Sequence, residues 1–105
     1  MDVDAIYRKL EAAGEDYADK EAAASLLEET KKTLLSQLKT MSKAGSDAAK
    51  ETEAQASAGY QEHISNMVEA RRLANRAKVK YDSMKVWVDL RRTEAANERA
   101  AMSLR

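Results

Sequence analysis

Apolar residues recur at alternating steps of four and three along the first part of the chain. The series is Ile6, Leu10, Ala13, Tyr17, Lys20, Ala24, Leu27, Lys31, Leu34, Leu38 and Met41, and only the two lysines interrupt it. This spacing is the seam of a coiled-coil helix, and it predicts a helix from about residue 4 to residue 42. Gly14 lies inside the pattern. Because glycine disfavours a helix by about 1 kcal/mol relative to alanine, the helix is expected to bend or fray there.

A second series with the same spacing runs through the last part of the chain. It is Met67, Ala70, Ala74, Ala77, Tyr81, Met84, Val88, Arg91, Ala95, Glu98 and Met102. It predicts a helix from about residue 60 to residue 103. The alanines allow another helix to approach closely, and antiparallel pairing is expected to place them near Leu34, Leu35 and Leu38.

The segment between the two patterns, residues 43–59, is polar and alanine-rich and holds no bulky apolar residue. Ser46 or Asp47 is a suitable N-cap for a short helix over about residues 46–57. The sequence therefore predicts one all-α domain over residues 1–105: a long antiparallel helical hairpin with a short polar helical connector. Two helices shield only one side of each other, so the hairpin is expected to self-associate into an oligomeric bundle. The apolar residues off the seams, which are expected to stay partly exposed, are Tyr7, Leu26, Leu35, Leu73 and Trp87.

The composition offers little for catalysis or for ligand binding. The chain has no Cys and one His, His63, which lies near the start of a predicted helix and is expected to be a surface or cap residue. No Glu-x-x-His pair, zinc cluster or glycine-rich phosphate loop occurs. We therefore expect a non-enzymatic protein with no catalytic residue, no metal, no cofactor and no small-molecule substrate. No run approaches the roughly 20 apolar residues of a membrane span, and the acidic N-terminus does not resemble a signal peptide, so a cytoplasmic location is expected.

Positive charge gathers in the second half of the chain, where residues 60–105 hold ten bases and six acids. Five bases fall within residues 71–80 with no acid among them. Such rows can follow phosphates, and a neighbouring aromatic ring can stack a base. The predicted nucleic-acid-binding residues are Arg71, Arg72, Arg76, Lys78, Lys80 and Tyr81.

The same bases also fit a solvated coiled-coil face. In that interpretation they pair with acids of the first helix, and Tyr81, which lies on the seam, belongs to the core. The acids concerned are Glu11, Glu15, Asp16, Asp19 and Glu21.

A second cluster follows, in which Trp87, Arg91 and Arg92 are predicted to contact a protein partner. Arg91 lies on the seam, where charge is unfavourable unless it is paired, and it can reach Glu94 three residues later. The exposed stripe around Trp87 also suits docking into a groove of another protein, as in an inhibitor of a host protein.

The last 45 residues resemble short helical accessory proteins of tailed phages and prophages. The matching residues are Asn75, Lys78, Tyr81, Asp82, Leu90, Arg91, Arg92, Thr93, Glu94 and Ala95. The basic stretch leading into Tyr81 is also similar to phage recombination mediators, although this chain is shorter and lacks their tyrosine pair followed by glycine. The resemblance implies an oligomeric protein of the host-cell cytoplasm that binds single-stranded DNA and assists recombination or replication, with a recombinase or host protein as partner. The alternative is a structural or adaptor coiled coil that contacts only proteins.

Overall fold

The computed structural model describes residues 2–104 and contains three helices, α1 (Val3–Met41), α2 (Asp47–Ala56) and α3 (Ala58–Ser103). The described part of the chain is all-α and has no strand. It forms a rod of 85 × 20 × 15 Å in which α1 and α3 lie side by side. Contacts join His63 to Leu27 and Tyr81 to Gly14, so the two long helices run antiparallel. The predicted helical hairpin is confirmed, and its helix bounds lie within two residues of those expected.

Each helix begins at a polar side chain that accepts a hydrogen bond from a free backbone N–H of the first turn. Asp2 caps α1 through the N–H of Ala5 at 3.2 Å, and Ser46 caps α2 through Ala49 at 3.1 Å. Ser57 ends α2 and caps α3, because its extended backbone breaks the helix while its Oγ accepts from Tyr60. A single serine thus makes the corner between α2 and α3.

The core of the hairpin is built from small side chains. Ala24 and Ala74 are fully buried, and the other buried residues are also alanines, at 13, 54 and 77. Alanine lets two helix backbones approach closely and loses no side-chain entropy on burial. The larger seam residues are half-buried, namely Ile6, Leu10, Tyr17, Leu27, Leu34, Leu38, Met67, Tyr81, Met84 and Val88. The predicted seams therefore face each other along most of α1.

Gly14 does not interrupt α1, which continues through it from Val3 to Met41, so the expected fraying does not occur. Instead the ring of Tyr81 lies against the backbone where a side chain would stand. A Cβ built on Gly14 would lie 3.1 Å from Cε1 and 3.2 Å from Cζ of that ring. The missing side chain of Gly14 thus leaves the space in which the Tyr81 ring packs against α1.

The expected position of the α3 alanines opposite Leu34, Leu35 and Leu38 is wrong. The Arg71 side chain, which lies among these alanines, contacts Glu21 and Glu28 instead. The reason is the connector. The α2 helix folds back onto the end of α1. Lys39 of α1 and Asp47 of α2 form an ion pair that joins the two helices there. As a result α3 starts beside the last turns of α1 rather than beyond them.

The contact between Tyr81 and Gly14 sets a register in which the 46-residue α3 runs past the N-terminal end of the 39-residue α1. Residues 89–104, the C-terminal extension, are all exposed, including the seam positions Arg91, Ala95, Glu98 and Met102. The repeat that pairs the helices therefore continues past the N-terminal end of α1, where no α1 residue can cover it. Within residues 2–104, no helix has the length and apolar character needed to cross a lipid bilayer.

Candidate interaction surface on the third helix

Arg71 joins the two long helices rather than facing solvent. Its Nε and Nη2 donate to the two carboxylate oxygens of Glu28 at 2.9 and 2.7 Å, and its Nη1 donates to Glu21. The hydrogen bonds from Arg71 lower the pKa of Glu28 and, in return, raise the pKa of Arg71. This predicted phosphate contact is therefore occupied by two carboxylates of α1. Glu21 was among the acids expected for the solvated-face interpretation, whereas Glu28 was not.

Arg72 pairs with Glu69 one turn earlier on α3, with Nε donating to Oε2 at 2.9 Å. The hydrogen bond from Arg72 lowers the pKa of Glu69, and the same bond raises the pKa of Arg72. Both side chains remain about half exposed. An exposed pair of this kind adds little to stability, so Arg72 can exchange its partner for another anion.

Arg76, Lys78 and Lys80 are exposed. Among residues 2–104 no carboxylate lies within 4 Å of their side-chain nitrogens. Arg72, Arg76 and Lys80 follow one another at intervals of four, which places them on one side of the helix. These three bases form a continuous exposed row, whereas Lys78 points to another side.

Tyr81 is half-buried between the helices, and this corresponds to the core interpretation of its seam position. Its ring centroid lies 6.4 Å from that of Tyr17, and the Nζ of Lys85 lies 4.5 Å from it. The Tyr81 ring therefore packs against Gly14, Tyr17 and Lys85 as part of the contact between the helices. It does not stand free on the surface as a platform for a base.

Trp87 and the arginines that follow it stand on the outside of α3. The indole is 44% exposed, and the guanidinium carbon of Arg91 lies 5.3 Å from its centroid. Arg91 also donates to Glu94 at 3.3 Å, the pairing expected from their spacing. Arg92 lies beside a shallow groove whose other residues include Asp89, Thr93 and Ala96. The three predicted protein-contact residues are thus accessible on adjoining turns.

The sequence interpretation missed an apolar face on the side of α3 that points away from α1. Val79 is 66% exposed, Val86 58% and Leu90 59%. They belong to a second series with steps of three and four, which we call the outer face: Arg76, Val79, Ser83, Val86, Leu90, Thr93 and Asn97. The signal was present in the sequence as the seven-residue interval between the two valines. The stronger α1-facing seam concealed it, because both share the same helix.

His63 takes part in the hairpin rather than capping a helix end. Its Nε2–H donates to the backbone carbonyl of Leu27 across the interface at 2.7 Å. In the described residues 2–104 no three His, Cys, Asp or Glu side chains lie close enough to hold a metal ion together.

Comparison of the chain with protein-family models, curated proteins and solved structures gives no match. The resemblance to phage accessory proteins therefore stays a prediction from the quoted residues. The identifiable features are the class of fold, an elongated antiparallel helical hairpin, and the exposed surface of its third helix.

Proposed function

We propose that the protein is a non-enzymatic helical adaptor that acts only through protein–protein contacts. One observation carries the proposal, the exposed apolar outer face of α3. Covering a Val or Leu side chain is favourable by about 1.5–3 kcal/mol when the burial is complete. Val79, Val86 and Leu90 are aligned along one helix, so a partner helix can cover all three together.

The neighbouring side chains support this role. Trp87 is an exposed aromatic residue beside the apolar face, and tryptophan and arginine are enriched among the residues that dominate protein interfaces. Arg91 and Arg92 lie within two turns of it and supply polar contacts for the rim of such an interface. Arg71 and Tyr81, by contrast, are engaged inside the hairpin.

Binding of single-stranded DNA, with the phage role implied by the resemblance, is the second candidate. The observation in its favour is the exposed row formed by Arg72, Arg76 and Lys80. Such a row contacts phosphates through charge alone, and the affinity would fall steeply with salt. Trp87 would then supply the stacking surface in place of Tyr81.

Photo-crosslinking in cells tests the adaptor proposal. Val86 is replaced by benzoylphenylalanine in one variant, and Lys32, an exposed residue of α1, is replaced in a matched control. We expect a discrete protein adduct from position 86 and none from position 32. Equal, diffuse adducts from both positions, or none from position 86, would contradict the proposal.

Fluorescence anisotropy with labelled oligo(dT) at low and moderate salt tests the second candidate. The adaptor proposal predicts no binding at low salt. Salt-sensitive binding that is lost in Arg76→Ala/Lys80→Ala would favour the DNA candidate. Lys32→Ala is the matched control, because it removes an exposed base from α1.

A further inference from the structure

We infer that the partner covering the outer face of α3 is a second copy of this chain, bound antiparallel about a two-fold axis. The inference rests on the proposed function, since it assigns an occupant to the same face. The outer face points away from the rest of its own hairpin. Ala77 and Tyr81 turn towards α1, whereas Val79 and Val86 turn away from it. Two hairpins can therefore join through α3 without disturbing either hairpin.

The outer face is complementary to itself in the antiparallel direction. A two-fold axis midway between Met84 and Lys85 brings Val79 of one copy level with Leu90 of the other. The same axis brings Ser83 level with Val86, so this small polar residue of each copy meets an apolar residue of the other. The outer-face positions that meet across the axis keep the three-and-four spacing on both helices, as knobs-into-holes packing requires. The contact is thus apolar at its centre on both sides of the axis.

Along one edge of the apolar centre the charged residues also match in this register. Arg76 comes level with Thr93 of the second copy, one residue away from its Glu94, and the symmetry repeats this opposite-charge pair. Lys80 comes within two residues of the level of the second copy's Trp87, where a cation and an aromatic face attract each other. Asp82 faces Asp89 across the opposite edge, but Asp82 already has Lys85 as an ion-pair partner at 3.2 Å.

A parallel arrangement lacks this complementarity. It would place Arg76 against Arg76 and Arg72 against Arg72, and like charges across a helix interface are unfavourable. The antiparallel register also gives the C-terminal extension a neighbour. Residues 89–104 of one copy run beside residues 65–80 of the other, so α3 is paired over about 60 Å at roughly 1.5 Å per residue.

Disulfide trapping tests both the occupant and its direction, because the chain has no cysteine of its own. Full-length Val79→Cys and Leu90→Cys proteins are oxidised separately and as a mixture. The antiparallel dimer predicts a 79–90 disulfide in the mixture at least tenfold more abundant than dimers of Val79→Cys alone. In that dimer the two copies of position 79 lie about 16 Å apart along the axis, beyond the roughly 7 Å that a disulfide tolerates.

Two results would overturn the inference. Efficient dimers of Val79→Cys alone would indicate a parallel pair, and light scattering that shows a monomer at all concentrations would exclude a second copy. Photo-crosslinking at position 86 distinguishes this failure from failure of the proposed function. A monomer that forms an adduct there with a different protein keeps the adaptor role, whereas a monomer without any adduct loses both.

Discussion

Replacing Gly14 by alanine separates helix propensity from packing at the contact between α1 and α3. The substitution removes a glycine from a helix interior, which by itself stabilises by about 1 kcal/mol. The new Cβ would lie 3.1 Å from Cε1 of Tyr81, so the ring must shift by a few tenths of an ångström. Overpacking of this kind costs about 1–3 kcal/mol. We expect a net loss of roughly 0–2 kcal/mol in the free energy of unfolding.

Urea unfolding followed by circular dichroism measures this change at one fixed protein concentration, since association would shift the midpoint. Gly59→Ala is the matched control, because Gly59 lies in the first turn of α3 with no atom within 4 Å of an added Cβ. It should stabilise by up to about 1 kcal/mol. In a Tyr81→Leu background Gly14→Ala should also stabilise, which gives a coupling of about 1–3 kcal/mol between the two positions. Equal stabilisation by Gly14→Ala in both backgrounds would refute the claim that the Tyr81 ring needs the space left by the missing side chain of Gly14.

Three further substitutions, one of them with a matched control, test other contacts of the hairpin. Ala74→Leu should lower the free energy of unfolding by about 1–3 kcal/mol through overpacking of a fully buried site, whereas Ala95→Leu on the exposed C-terminal extension should change it by less than about 0.5 kcal/mol. Ser57→Ala should cost about 1 kcal/mol in urea unfolding, because it removes the N-cap of α3; an unchanged midpoint would contradict that role. Arg71 lowers the pKa of Glu28 below its ordinary value of 4.5, so their contact stabilises the fold above that pH and is lost as the pH falls through the lowered pKa. In Arg71→Gln the Glu28 pKa measured by NMR should rise towards 4.5, and an unchanged value would exclude the ion pair as the cause.

The helices could be predicted from the sequence because their periodicity is strong and local. Two series with steps of four and three, and the N-cap candidates Ser46 and Asp47, predicted the bounds of the three helices to within two residues. These features depend on neighbours in the chain. Nothing beyond the sequence was needed to recognise them.

The register of the hairpin could not be predicted, because a heptad pattern fits its partner equally well after a shift of seven residues. Long-range contacts fix it: Arg71 with Glu21 and Glu28, and Tyr81 with Gly14. The sequence marked Gly14 as a weak point of the helix, whereas the fold uses its missing side chain.

The candidate site was only partly predictable for a related reason. Composition singled out the bases of residues 71–80, but which of them stay available depends on the acids that the fold brings close. Trp87 was recognised as exposed because it lies off the seam. Val79, Val86 and Leu90 were not recognised as one face, because fewer positions of their series are apolar than in the α1-facing seam on the same helix.

Sedimentation equilibrium of two matched variants tests association through the outer face most directly. Val86→Asp places a charge on that face, and Leu26→Asp places one on α1 at a site of nearly equal exposure, 58% against 60%. We expect a dimer for the unmodified chain and for Leu26→Asp, and a monomer for Val86→Asp with unchanged helical content. A dimer that survives Val86→Asp, or one that only Leu26→Asp dissociates, would contradict association through the outer face.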